Sequence, residues 1–298
     1  MNEQTPKHFV LQLGALMSLY LSISFLLALL FGLITIFLPD AADGYWEFEN
    51  AASSVRIGIA MLIVFAPTYL VLTRLVNRAR RENQSISYTG LTKWLLYLSL
   101  LFGAGALLID LVVIIMAYLE GDMTLRFILK ALAVLLVVGG AFYYYVMDVR
   151  GYWLSHEKES KMIGLGVLLI VLVSIVVGIM NIETPDEVRL QKIDNEIVGD
   201  LQDMQWRIED FYRSSGSLPT SITELYGPFP APTAPEGLSD YSYEVVSEKE
   251  YKMCAEFNRA STEGSESMAR PVFEKNYNWE HQAGTWCFER IIDDVYRQ

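Results

Sequence analysis

Between Met162 and Met180 the chain carries no charged residue, a run long enough to cross a bilayer as a helix. Shortly after it, past Pro185, the pattern changes. Leu190, Ile193, Ile197, Leu201, Met204, Ile208 and Phe211 recur at steps of three and four. That is the stripe of a helix with one buried face. A chain with both features has to satisfy lipid on one side of Pro185 and water on the other.

The residues before this junction repeat the first feature. Apolar runs extend over Phe9–Leu38, Val55–Val76, Trp94–Leu119 and Thr124–Met147. With Met162–Met180 they make five spans. A cleaved signal peptide is the competing reading of the first, but that run exceeds the roughly 7–15 residues of such a peptide's apolar core. Pro67 lies inside the second span and predicts a kink there. The loops alternate in sign. Asp40, Asp43, Glu47 and Glu49 follow the first span, and Glu120 and Asp122 the third. Arg78, Arg80, Arg81 and Lys93 follow the second, and Arg150, Lys158 and Lys161 the fourth. Basic loops stay in the cytoplasm. Five spans then put the N-terminus inside and everything after Met180 outside. Tyr152 and Trp153 suit an interfacial aromatic belt.

Charge separates the same two parts. Acidic and basic residues balance over positions 1–180, so positions 181–298 carry the whole formal charge of -12. A surface this acidic argues against nucleic acid, which requires a basic face. It argues equally against docking on anionic headgroups, and favours cationic or neutral partners.

Ser214 to Pro219 reads as a helix stop and turn, and Ser221–Tyr226 as one more short helical piece. Tyr241–Val246, Tyr251–Phe257 and Trp286–Ile292 read as strands. The two cysteines, Cys254 and Cys287, fall on the second and third of these. They lack the Cys-x-x-Cys spacing of zinc or thioredoxin-type sites. Outside the cytoplasm a disulfide between them is the direct reading; two separate buried thiols are the alternative.

Few residues suggest chemistry. Asp110 and Lys130 stand at similar depth in spans three and four, about 13–17 Å from the hairpin between them. Ionisable groups at such depth face protein and find partners. An ion pair joined by Arg126 or Arg56 is one reading. The others are Lys130 snorkelling beside a protonated Asp110, or an ion path. The histidines His8, His156 and His281 all lie outside the spans, which removes a bis-histidine haem. His281, near Cys287, reads as a packing residue before a catalytic one. Asp194, Asn195, Glu196 and Asp200 lie on the amphipathic helix without the ligand spacing of a calcium loop, and read as a solvated face. Gly103, Gly105, Gly139 and Gly140 suggest closely packed spans. No cofactor or metal is implied.

Three membrane stretches, Arg56 with Ile63-Val64-Phe65-Ala66-Pro67, Lys93-Trp94-Leu95-Leu96-Tyr97 and Thr124 to Lys130, resemble the bacterial membrane family called domain of unknown function 5671. Asp200-Leu201-Gln202, Leu218-Pro219, Cys254-Ala255, Trp279, His281, Gly284 and Cys287-Phe288 follow in the order expected of such proteins. That likeness extends over nearly the whole chain and implies no catalytic residue. The C-terminal part also resembles a type IV pilin or pseudopilin: apolar helix, amphipathic helix, turn, antiparallel sheet. Lys161-Met162-Ile163-Gly164 has no Gly-Phe processing site, so the likeness is one of domain shape.

The expected fold is a four-helix transmembrane bundle over residues 1–160. A fifth transmembrane helix continues into the amphipathic helix over 161–213. An α+β domain of 214–298 together with 186–213 completes the chain. The expected role is non-enzymatic: a multi-pass protein of the bacterial inner membrane that presents an acidic, disulfide-bonded extracytoplasmic domain to an envelope or secretion protein. An ion-coupled transporter using Asp110 and Lys130, and a membrane enzyme using His281, are the alternatives.

Overall fold

The computed structural model describes residues 4–39, 45–82, 90–121, 123–261 and 278–292. The chain divides into two units, Met1–Ile182 and Glu183–Gln298.

The first unit is helical: α1 (Gln4–Phe37), α2 (Tyr45–Glu82), α3 (Gly90–Glu120), α4 (Leu125–Val149), the single turn α5 (Tyr152–Ser155) and α6 (Glu157–Met180). All but α5 are long and apolar enough to cross a membrane, and they correspond to the five spans predicted from sequence. The second span stays helical through Pro67, whose missing N–H leaves the Ile63 carbonyl without its usual partner.

α1 is the element around which the others assemble. Its residues Leu26, Leu29 and Leu33 cluster with Val55, Ile59, Leu62 and Ala66 of α2 and with Val171 and Ile175 of α6. Nearer its N-terminus, Leu16 and Leu19 cluster with Leu95 and Leu96 of α3 and Tyr145 of α4. Steps of three and four keep each set on one helix face. The outward faces stay apolar: Leu108, Ile109, Leu136 and Leu165 are each roughly two-thirds exposed. Such a surface would be an aggregation liability in water; in a bilayer it faces its solvent.

At two glycines α1 and α2 approach too closely for a side chain. A Cβ on Gly58 would stand 2.7 Å from Leu29 Cβ and 3.0 Å from the Phe25 carbonyl oxygen, and one on Gly32 would stand 2.7 Å from the Ala51 carbonyl oxygen. The glycines expected to mediate packing behave differently. Gly105, Gly139 and Gly140 face open space, while Gly103 has Phe142 Cδ2 at 3.1 Å. Trp153, expected in an interfacial belt, is buried at 4% exposure. Its ring stacks on Tyr144 at 4.9 Å, and its Nε1–H donates to the Tyr144 carbonyl at 3.0 Å. With its one donor satisfied, the indole can leave the interface.

The second unit sets one long helix against one small sheet. α7 (Pro185–Ser215) starts at a capping box. Thr184 Oγ1 accepts from the Glu187 N–H, the Glu187 carboxylate accepts from the Thr184 N–H, and Pro185 fills the first helical position. The helix stops at Gly216, which takes the left-handed conformation (φ 76°) that the stop requires. α8 (Ile222–Tyr226) follows, then β1 (Ser242–Val245), β2 (Glu250–Phe257) and β3 (Gly284–Ile291). The sheet is antiparallel in the order β1-β2-β3. Ile197, Leu201, Met204 and Ile208 of α7 are fully buried against Tyr251, Met253, Ala255, Phe257 and Phe288. The stripe and the strand alternation thus meet as the sequence predicts.

Candidate functional site

Strand alternation gives the small sheet two unlike faces. Tyr251, Met253, Ala255 and Phe257 point into the core, so Lys252, Cys254 and Glu256 point away from it. On the outer face the register places Cys254 between Ser242 and Cys287, and Lys252 between Glu244 and Glu289. Cys254 and Cys287 form a disulfide with Cα atoms 4.0 Å apart, closing 33 residues of sequence separation. The bridge therefore lies on the sheet face turned away from α7 and not in the core. Around it stand Glu244, Glu250, Glu256 and Glu289 with Lys252 among them. The Glu256 carboxylate accepts from the Ser239 N–H at 3.0 Å and from its hydroxyl at 2.6 Å. These bonds hold the carboxyl below its usual range.

The position of the bridge sets an expected result. Serine is tolerated on a half-exposed face, so Cys254→Ser should act through the lost cross-link alone. Loop closure of this length is worth about 3–4 kcal/mol in the chain-entropy description. Urea unfolding of the second unit should show that loss, and unreduced native protein should resist thiol alkylation. Alkylation of both cysteines without reductant would contradict it.

His281 is 6% exposed and stacks on Phe257 with ring centroids 3.6 Å apart. Its backbone N–H donates to Ser261 Oγ at 2.9 Å, and its carbonyl accepts from the Ser261 N–H at 2.9 Å. Burial pushes the imidazole below its ordinary range. The residue packs and fastens two chain segments, in keeping with the packing role expected from sequence.

Two further polar groups are buried. Asp194, on a helix face that the sequence pattern makes solvated, is 4% exposed. Its carboxylate accepts from the Asn258 N–H, Asn258 Nδ2 and the Arg259 N–H, each at 2.9 Å. The acid is buried because it terminates β2, satisfying backbone donors that leave the sheet there. Arg259 is held in turn by Glu183 at 3.1 Å. Arg290 is 3% exposed. Its Nε–H donates to Gln205 Oε1 at 2.9 Å and a terminal N–H donates to the Asn278 carbonyl at 2.7 Å. The guanidinium lies 4.4 Å from the Trp279 ring centroid, and burial lowers its pKa to about 10. The one available clue is its core-facing position in a strand. Farther along α7, Asp200 and Asp203 accept from the hydroxyls of Tyr241 and Tyr226, both at 2.7 Å.

In the first unit the contacts of the deep charges run along and between helices. Arg126, in the first turn of α4, donates from Nε to the Leu38 carbonyl at 2.9 Å. That places a cation at the C-terminal end of α1, where unsatisfied carbonyls favour it. Arg56 pairs with Glu49 at 3.2 Å along α2. Lys130 Nζ stands 5.9 Å from the Phe31 ring centroid, and Asp110 is partly exposed on α3. No ion pair joining Asp110 to Lys130 is present among the described residues. No group of three or more metal-ligating side chains is found among the described residues either.

Residues 8–145 match the family model described as Domain of unknown function (DUF5671). The match runs from the beginning of the first span to Tyr145 in α4, so α6 and the whole second unit lie beyond it, a narrower reach than the sequence motifs imply. No curated protein and no solved structure matches the chain.

Proposed function

We propose that this chain is a non-enzymatic, multi-pass protein of a bacterial cytoplasmic membrane that holds its second unit outside the cell membrane to bind a cationic partner of the envelope or secretion machinery. One observation carries the reading: among the described residues α7 covers one face of the sheet, and the other face bears four glutamates in a register that leaves them exposed or half-exposed. A covered face suffices for folding. A second, acidic face on a rigid sheet pinned by a disulfide is a surface for recognition, with opposite charge steering the partner in. The sign alternation of the loops supports the outward orientation, and the disulfide supports an oxidising compartment. The pilin-like character of the unit rests on the same arrangement, a long helix laid across an antiparallel sheet.

The test is crosslinking in native membranes with a photoreactive residue at Glu244 or Glu289, compared with one at Trp206, which is exposed on α7. A discrete adduct from the sheet positions, absent at Trp206 and lost when Glu244 and Glu289 are both changed to lysine, is the expected result. A reporter fused after Gln298 should score outside. Equal adducts from both faces, or a cytoplasmic C-terminus, would overturn the reading.

A further inference from the structure

Between α1, α2, α4 and α6 of the first unit lies a crevice of about 880 Å³, inside the size range of sites that enclose an organic ligand. Its lining is graded along the helix axes. At one end stand Thr73, Arg74, Asn77 and Arg78 of α2 with Ser160 and Lys161 of α6. Toward the other end the walls are Leu26 and Leu30 of α1, Leu132 of α4 and Val171 of α6. From Lys161 to Val171 along α6 is about 15 Å, and from Arg78 to Ala66 along α2 about 18 Å. Half the hydrocarbon core of a bilayer is also about 15 Å. The crevice is thus one leaflet deep, apolar at the bilayer centre and polar at the headgroup level.

Charge at the polar end is net positive. Arg74, Arg78 and Lys161 line it, and among the described residues of the lining the one carboxylate is Glu157, which pairs with Lys161 at 2.7 Å. Snorkelling arginines at a helix end are ordinary, and by themselves would mean only attraction to headgroups. Here they stand at the mouth of a slot whose length matches an acyl chain.

We propose that this crevice holds one anionic phospholipid. One of its acyl chains lies between α1, α4 and α6, and its phosphate against Arg74 and Arg78. It enters from the leaflet on the side of the loops that follow α2 and α4. Free phosphate satisfies only the mouth, and an uncharged amphiphile only the walls. A lipid anion satisfies both, which is why it is preferred over a second copy of this chain.

The experiment uses the full chain in neutral detergent, stripped of lipid. It is supplied with mixed micelles of phosphatidylglycerol or phosphatidylcholine, or with inorganic phosphate, and weighed by native mass spectrometry. One phosphatidylglycerol per chain should be retained in clear excess over phosphatidylcholine, with no phosphate retained. Arg74→Gln and Arg78→Gln should each lower that retention about fivefold and leave phosphatidylcholine unchanged, while the lysine variants keep it. Gly164→Phe should abolish retention of either lipid. A Cβ there has Leu70 Cδ2 as its nearest neighbour at 3.8 Å, so the backbone accepts a side chain that then fills the slot. Equal retention of both lipids, insensitive to the arginines, would mean ordinary boundary lipid and overturn the proposal. Retention of inorganic phosphate as strongly as lipid would overturn it too, as would a dimer that excludes lipid. If a glutamine variant does not fold, the selectivity of the unaltered chain among the three probes decides the question.

Discussion

Asp194→Ala should destabilise the second unit by about 3–5 kcal/mol, enough to make residues 183–298 protease-sensitive while the helical unit stays inserted. The magnitude follows from what the carboxylate holds. Three donors, two of them backbone N–H groups at the end of β2, point at one buried acid. Alanine leaves them facing a site from which water is excluded, and each buried donor without a partner costs about 1–3 kcal/mol. Asp194→Asn keeps the shape and one acceptor oxygen, so it should fall between the two. Limited proteolysis of the membrane-embedded protein, with urea titration of the second unit, reads both variants. If Asp194→Ala is as resistant as the unaltered protein, the carboxylate does not hold the end of β2.

Gly58→Val should prevent α1 and α2 from closing. At Gly58 the obstruction is Leu29 Cβ and Cα together with a carbonyl oxygen of α1, atoms that cannot rotate away. Even Gly58→Ala should cost about 1–3 kcal/mol by overpacking, against a helix propensity that favours alanine by about 1 kcal/mol. Valine adds two further carbons to the same space. Gly105→Ala is the matched control: its Cβ meets open space, so the propensity gain should stand alone. Thermal unfolding in detergent, with size-exclusion profiles, separates the three. Normal assembly of Gly58→Val would mean that the close helix approach is not required for the fold.

These two residues mark the limit of what a local pattern carries. Gly105, Gly139 and Gly140 suggest close packing and Gly58 does not, because glycine content is visible along a chain but the face that meets a neighbouring helix is not. Asp194 sits among acids on an amphipathic helix, and nothing local distinguishes it from Glu196. Its burial depends on Asn258 and Arg259, 64 and 65 positions away. Arg290 continues the alternation of Trp286 and Phe288 along its strand, but Gln205 and Trp279 are brought to it only by the fold.

By contrast the five spans, the one-sided helix and the three strands follow from composition and period alone. These are properties of short windows: hydrophobicity over some twenty residues decides lipid or water, and a repeat of about 3.6 or 2 decides helix or strand. The pairing of Cys254 with Cys287 is also within reach, since each lies on a strand and the chain has no third cysteine. Which face of the sheet carries the bridge, which acid is buried, where two helices touch and where four of them leave a crevice were decided by tertiary structure. The reason is physical. Each depends on atoms far apart in sequence that meet only after packing has chosen among many arrangements equally compatible with the local pattern.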